Sequence, residues 1–219
     1  MKKDKKKIGL DTPEHLGGHN GVTWVDEGAL SYMIKNFGVK SYLDIGCGPA
    51  EALDFAKQYG LFSLGIDGDP LFKGMPDLQI HDFTLGPLNK DNIQKLPEQG
   101  YFDLGWSVEF LEHVEEQYVP NFMETFKLCK YVIVTAAYPK QGGHHHVNEQ
   151  WVDYWIKVFG EHGFKISGKL TQEVRANSTM RRKMIDFSYE FVDDEVVCHK
   201  VKKSFMEKNG WVFINQAYK

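Results

Sequence analysis

The sequence predicts an α/β protein: a doubly wound, mostly parallel sheet of seven strands, with one antiparallel edge strand and helices on both faces. Three observations carry this expectation. From about residue 40 onward, apolar runs of strand length alternate with segments of helical period, the pattern of a parallel sheet with crossover helices. One run, Tyr42-Leu43-Asp44-Ile45, ends in an acidic residue and two closely spaced glycines, Gly46 and Gly48, before a helix. A second run, Leu64-Gly65-Ile66-Asp67, ends in another Asp about 23 residues later, where dinucleotide-type folds place a ribose-binding carboxylate.

Taken in order, Thr23-Trp24-Val25-Asp26-Glu27 opens like a capped helix, and Leu30, Met33, Ile34 and Phe37 recur at helical spacing until Gly38, so a leading helix is expected over 23–38. Strands follow near 41–46, 62–67 and 78–82, with a helix near 50–59. Tyr101-Phe102-Asp103-Leu104-Gly105-Trp106 reads as the next strand, then a helix with Phe122, Met123 and Phe126 on one face. Tyr131-Val132-Ile133-Val134-Thr135-Ala136-Ala137 is apolar on both faces and is expected inside the sheet. Asn148 is the expected cap of a helix turning Trp151, Trp155, Ile156 and Phe159 inward, with Gly163 at its end. Beyond Phe164 the pattern weakens to a strand at 164–170, a polar helix from about 178 and a last strand at Trp211-Val212-Phe213-Ile214-Asn215. The whole is read as one Rossmann-like domain over 1–219: a flexible tip with a covering loop over 1–22, the leading helix, a cofactor core over 40–165, and 166–219 completing the sheet around an inserted helix.

Composition narrows the function classes. The chain has 219 residues, is 42% hydrophobic and carries a net charge of −4, enough for one well-buried core. The charge is uneven, about +2 over 1–43, about −10 over 44–164 and about +4 over 165–219, and an acidic cofactor half disfavours a long nucleic-acid track. Cys47, Cys129 and Cys198 are the three cysteines, and neither a CxxC nor an HExxH motif occurs, which speaks against a disulfide framework or a common zinc site and for a reducing, cytoplasmic setting. Met1-Lys2-Lys3-Asp4-Lys5-Lys6-Lys7 lacks the apolar core of a signal peptide, and no run reaches about 18 apolar residues. No membrane partner is expected, and oligomeric state is not legible.

In an open parallel sheet, ligands sit outside the carboxyl ends of the strands, so Asp44, Asp67, Asp82, Trp106-Ser107 and Tyr138 should face one crevice. Gly46 and Gly48 let the backbone approach a ligand closely. Asp67, with Gly68 beside it, is suited to accept two ribose hydroxyls, and Asp82 an exocyclic amine. A diphosphate is disfavoured, because Glu51 stands where a dinucleotide fingerprint has its third glycine, and no P-loop occurs. The ligand implied is an adenosine without phosphates; a nicotinamide oxidoreductase would require diphosphate binding beside Glu51.

These residues resemble the class I S-adenosylmethionine-dependent methyltransferases, over roughly 40–165. Asp44-Ile45-Gly46-Cys47-Gly48 looks like their first motif, Asp67 like their ribose acid and His81-Asp82-Phe83 like their adenine-contacting motif. Ser107-Val108-Glu109-Phe110-Leu111-Glu112-His113-Val114 is similar to the fourth-strand segment of the small-molecule branch, while Ala50 departs from a third glycine common in the family. The resemblance implies S-adenosylmethionine as cofactor and S-adenosylhomocysteine as product. It implies that Asp44 and the backbone of Gly46, Cys47 and Gly48 hold the methionine portion, Asp67 the ribose, Asp82 the adenine amine, Phe83 an adenine wall and Ser107 the methyl side.

Methyl transfer from a sulfonium is an in-line displacement that needs a base only for a protonated acceptor. Candidates for that base lie in Tyr138-Pro139-Lys140-Gln141-Gly142-Gly143-His144-His145-His146, a loop that also reads as an exposed segment or a substrate clamp. A metal site there would need Glu149, His113 or Glu112 to converge, and none is expected from the sequence. The Glu14–Asn20 loop reads as a lid or an ordinary surface loop, and Arg175, Arg181, Arg182 and Lys183 as a solvated helix face or an anion clamp. Neither the Asn/Asp-Pro-Pro-aromatic segment of amino-methylating DNA enzymes nor a Pro-Cys nucleophile is present. The expected acceptor is a small molecule or sugar with an oxygen or nitrogen nucleophile; protein or RNA acceptors, and a non-catalytic partner subunit, are the alternatives.

Overall fold

The computed structural model describes residues 13–16, 23, 25–180, 184–192, 195–203 and 210–218. The basic tip, most of the expected lid, and Arg181, Arg182 and Lys183 lie outside the described residues.

The chain runs through α1 (Glu27–Phe37), β1 (Ser41–Ile45), α2 (Glu51–Lys57), β2 (Phe62–Asp67), β3 (Leu78–Ile80), β4 (Phe102–Ser107), α3 (Val119–Phe126), β5 (Cys129–Val134), α4 (Val152–Glu161), β6 (Phe164–Ile166) and α5 (Gly168–Asn177). It closes with β7 (Met184–Val192), β8 (Glu195–Lys203) and β9 (Trp211–Asn215). Seven strands form one sheet in the order β3-β2-β1-β4-β5-β9-β6, with β9 antiparallel to both neighbours. The expected fold class is observed, and the one antiparallel strand lies second from the edge with β6 outside it. The order reverses between β1 and β4, which are paired in parallel, so the crevice at their carboxyl ends is the ligand-binding position of such a sheet.

Both faces are covered. Phe122, Phe126, Trp155 and Phe159 of α3 and α4 pack in one apolar cluster; Leu30, Met33, Leu53, Leu170 and Val174 of α1, α2 and α5 pack in the other. The strands therefore read as continuous apolar runs, as sheets buried on two faces do. Strands β2 and β4 each use a glycine where a cysteine leans in: a Cβ on Gly65 would stand 2.7 Å from Cys47 Sγ, and one on Gly105 2.7 Å from Cys129 Sγ. Asp26 caps α1 by accepting from Ala29 N at 2.9 Å, and Gly38 ends the helix in the left-handed region at φ 62°.

Three expectations fail. The cap of α4 is Trp151, not Asn148, and Trp151 is 43% exposed instead of inward; only Trp155 of that pair is core. The helix placed from about 178 lies ten residues earlier, as α5, capped by Ser167. The region after it is a two-stranded antiparallel hairpin, β7 with β8, outside the main sheet. Arg175 is neither a solvated residue nor a clamp: it is buried on α5, and its Nε donates to Gly210 O at 2.9 Å. No helix among the described residues is long and apolar enough to cross a membrane.

Candidate active site

The loop after β1 folds back over β2, with Gly46 N and Cys47 N donating to Ile66 O at 2.8 and 3.0 Å. Gly46 and Gly48 take φ of 77° and 50°, which glycine adopts without steric cost. Asp67, at the end of β2, fixes the turn: Oδ2 accepts from Gly48 N at 2.7 Å and Oδ1 from Asp69 N at 2.8 Å.

Outside these strand ends lies a cavity of about 270 Å³. Gly46, Asp67, Asp82 and Phe83 line it together with Glu109, Phe110, His113 and His145. Asp82 Oδ1 accepts from Thr84 N at 2.8 Å and Thr84 Oγ1 at 2.7 Å, while Oδ2 pairs with His15 Nε2 at 3.1 Å. Burial pushes this carboxyl up, but the His15 and Thr84 hydrogen bonds outweigh it and hold the group below the ordinary Asp value. The short 3-10 turn Glu14–Leu16 also sets Leu16 against Gly68, where a Cβ would come within 2.4 Å of Leu16 Cδ2. Phe83 meets His81 and Phe110 edge to face at 4.9 and 5.7 Å between ring centroids, giving the cavity an aromatic wall.

Other expected site residues serve from behind. Asp44 is buried, accepts from Tyr42 Oη at 3.3 Å, and is pushed up to about 8 by burial, partly countered by that hydrogen bond and reinforced by the Asp67 charge. Cys47 turns its side chain to the sheet over Gly65, leaving only its backbone for a ligand. Ser107 donates to Ile45 O at 2.8 Å, tying β4 to β1, and does not line the cavity.

Of the four candidate bases, only His145 lines the cavity, and its Nε2 is buried without a hydrogen-bond partner. His144 is exposed. Tyr138 stacks on Trp151, ring centroids 6.1 Å apart. His146 Nδ1 pairs with Glu149 Oε1 at 3.2 Å, and its ring meets that of His113 edge to face at 4.9 Å. His113, read more simply as a helix-start residue, belongs to the cavity wall, as do Glu109 and His15. Glu109 and His145 are also non-glycine residues at positive φ, 56° and 53°, a costly conformation that clusters at functional sites. The signal for Glu109 and His113 was present in sequence, as polar residues just after a strand that ends at the crevice.

Residues 43–130 match the family profile described as a methyltransferase domain. Among solved structures, the chain is similar to a TehB-like S-adenosylmethionine-dependent methyltransferase from Corynebacterium glutamicum ATCC 13032 Kitasato, at 14% identity over 91% of this chain and 92% of that one, with a TM-score of 0.54. It is also similar to magnesium protoporphyrin IX methyltransferase from Synechocystis PCC 6803, at 13% identity over 85% and 76% of the two chains, with a TM-score of 0.49. The likeness to the Corynebacterium protein is one of fold. No curated protein matches the sequence.

Proposed function

We propose that this chain, whose residues 43–130 match the methyltransferase-domain profile, is a class I S-adenosylmethionine-dependent methyltransferase that methylates an oxygen or nitrogen nucleophile of a small-molecule or sugar acceptor. The observation that carries the reading is one cavity lined both by the adenosine-type residues Asp67, Asp82 and Phe83 and by Glu109, His113 and His145. Its volume of about 270 Å³ is near the lower end of the ~300–1,000 Å³ typical of small-molecule sites.

The residues fit the cofactor. Asp67 presents a carboxylate anchored on two backbone N–H groups, Asp82 a second, and Phe83 a flat apolar face. When bound, S-adenosylmethionine supplies a methyl group on a sulfonium, whose positive charge suits a wall bearing Asp67, Asp82, Glu109 and Glu115. His15 covers Asp82, so the 13–16 turn acts as a latch that shifts to admit the cofactor. Toward the acceptor, His145 offers its unpartnered Nε2 to take a proton from a hydroxyl or ammonium. His113 is the poorer base, since burial and the neighbouring His146 push it down to about 4. Orientation in the cavity carries the remainder of the rate. The two buried free thiols, Cys47 and Cys129, fit a reducing, cytoplasmic compartment.

The test is calorimetric titration with S-adenosylmethionine, S-adenosylhomocysteine and NAD, on wild type and Asp67→Ala. Binding of the first two alone, lost in the variant, supports the reading and justifies an acceptor screen; binding of NAD instead, or of none, overturns it.

A further inference from the structure

The segments that follow β4 and β5 are joined by a pair of backbone hydrogen bonds. Val147 N and Asn148 N both donate to Glu112 O, at 2.9 and 3.0 Å, and this brings His146 against His113 although they stand far apart in sequence. One ligand atom each from Glu112, His113 and His146 then lies within 4.8 Å of the others. Small rotamer shifts bring such a trio to the ~3–3.5 Å separations set by bonds of ~2.0–2.2 Å to one ion.

We propose that Glu112, His113 and His146 bind a divalent transition-metal ion, with Glu109 beside it, behind the stretch of cavity wall that Glu109 and His113 form. One feature of each residue carries the assignment. Glu112 is fully buried; its Oε1 accepts from Ala137 N at 3.1 Å, and its Oε2 has no hydrogen-bond partner. An unpartnered buried carboxylate oxygen is costly unless something positive meets it. His113 Nδ1 lies 3.2 Å from His145 O, a carbonyl that only accepts, so Nδ1 carries the proton and Nε2 keeps the lone pair. His146 Nδ1 is held in the same way by the Glu149 carboxylate at 3.2 Å. This is the outer-shell arrangement that orients metal-binding imidazoles, with Glu149 in the carboxylate–histidine–metal relay.

Gly143 completes the cradle, because a Cβ there would stand 2.2 Å from His146 Nε2. Two imidazoles and a carboxylate suit the Mn²⁺ to Zn²⁺ series better than Mg²⁺ or Ca²⁺, which prefer all-oxygen shells. Three protein ligands leave further positions on the ion open, and His113 lines the cavity, so an acceptor hydroxyl that reached the ion from there would lose its proton more readily. That last role rests on the methyl-transfer reading; the metal site itself does not.

The experiment uses full-length protein stripped with a chelator and titrated with Co²⁺, read by its visible absorption, and with Zn²⁺ and Mn²⁺ by calorimetry. One equivalent should bind to wild type and to His144→Ala, while Glu112→Gln and His146→Ala each weaken binding about 10- to 100-fold with circular dichroism unchanged. If either variant is misfolded, Glu149→Gln, which keeps all three ligands but loosens the carboxylate that holds His146 Nδ1, Lys140 N and Gly142 N, should still weaken binding measurably. Equal binding in wild type and the Glu112→Gln/His146→Ala pair, no binding at all, or loss in His144→Ala instead would overturn the site. Acetohydroxamate, a two-oxygen ligand, should shift the Co²⁺ bands; unchanged bands would refute the open positions. S-adenosylhomocysteine titrated into the same samples separates the two readings: metal without nucleoside binding sinks methyl transfer and leaves the site, and the reverse sinks the site alone.

Discussion

Asp44→Asn should remove a pH dependence of stability that the wild type carries. Asn copies the size and hydrogen bonding of the protonated carboxyl, including acceptance from Tyr42 Oη, but cannot ionise. Asp44 moves from an ordinary value of 3.8 to about 8 on folding, chiefly through burial. Between those values the unfolded chain has released a proton that the folded chain keeps, so stability is full below the lower value and is lost as pH rises through the upper one. The slope is about 1.4 kcal/mol per pH unit, and the loss between about pH 5 and about pH 7 integrates to about 2.6 kcal/mol. For a chain of this size that is roughly 5–10 °C in Tm.

Urea unfolding followed by tryptophan fluorescence, at three pH values across that interval, gives wild type and variant on the same footing. Other buried acids, such as Glu112, contribute to both and cancel in the difference. The wild type should lose stability relative to Asp44→Asn by about 2.6 kcal/mol over the interval. Parallel curves, agreeing within about 0.5 kcal/mol, would refute the raised Asp44 value. If Asp44 takes the cofactor's ammonium, binding S-adenosylhomocysteine near neutral pH should also release close to one proton, measured by calorimetry in buffers of different ionisation enthalpy.

Other outcomes follow from the same geometry. Asp67→Asn keeps the shape of the side chain but loses its charge and can accept from only one of Gly48 N and Asp69 N, and should weaken S-adenosylhomocysteine binding by about 10- to 100-fold, or ~1.4–2.8 kcal/mol, in the calorimeter. Gly105→Ala drives a Cβ to 2.7 Å from Cys129 Sγ and should cost about 1–3 kcal/mol by chemical denaturation; adding Cys129→Ala should restore part of it, and an additive double mutant would show that the clash is not the cause. Asp26→Ala removes acceptance from Ala29 N, Thr179 N and Ser178 Oγ at a fully buried carboxylate and should cost about 2–4 kcal/mol in the same assay.

The parts of the fold legible in the sequence are those whose signals are local. Strands β1 and β2 appear as apolar runs ending in Asp44 and Asp67, and α1 is bracketed by Asp26 and Gly38. Helix α5 escaped because its buried face carries Thr171 and Arg175, whose partners are Val212 N and Gly210 O on the approach to β9. Polar residues satisfied by distant backbone look like solvent-facing ones in sequence. Trp151 differs for the opposite reason: an aromatic residue at helical spacing reads as core, and here it stacks on Tyr138 at the surface. In the site, Asp67, Asp82 and Phe83 were legible from strand ends. The meeting of Glu112, His113 and His146 was not, because it depends on the backbone bridge from Val147 and Asn148 to Glu112 O.

The cavity's charge now bears on what the acceptor is. Asp67, Asp82, Glu109 and Glu115 line it, and no lysine or arginine does so among the described residues. Arg175, which sequence offered as an anion clamp, is committed to Gly210 O inside the fold. Such a wall favours a sulfonium and opposes a phosphate or carboxylate placed beside it, since unit charges a few ångströms apart interact by about 4 kcal/mol at an effective dielectric of ~20. Neutral hydroxyl-bearing or amine acceptors should therefore lead any screen, and anionic analogues of the same compounds should trail them by about tenfold or more in kcat/KM. A divalent ion beside Glu109 would soften that preference, so the discrimination should narrow when Co²⁺ or Mn²⁺ is added to chelator-stripped protein. Anionic acceptors that outperform their neutral counterparts in the metal-free protein would refute the electrostatic argument.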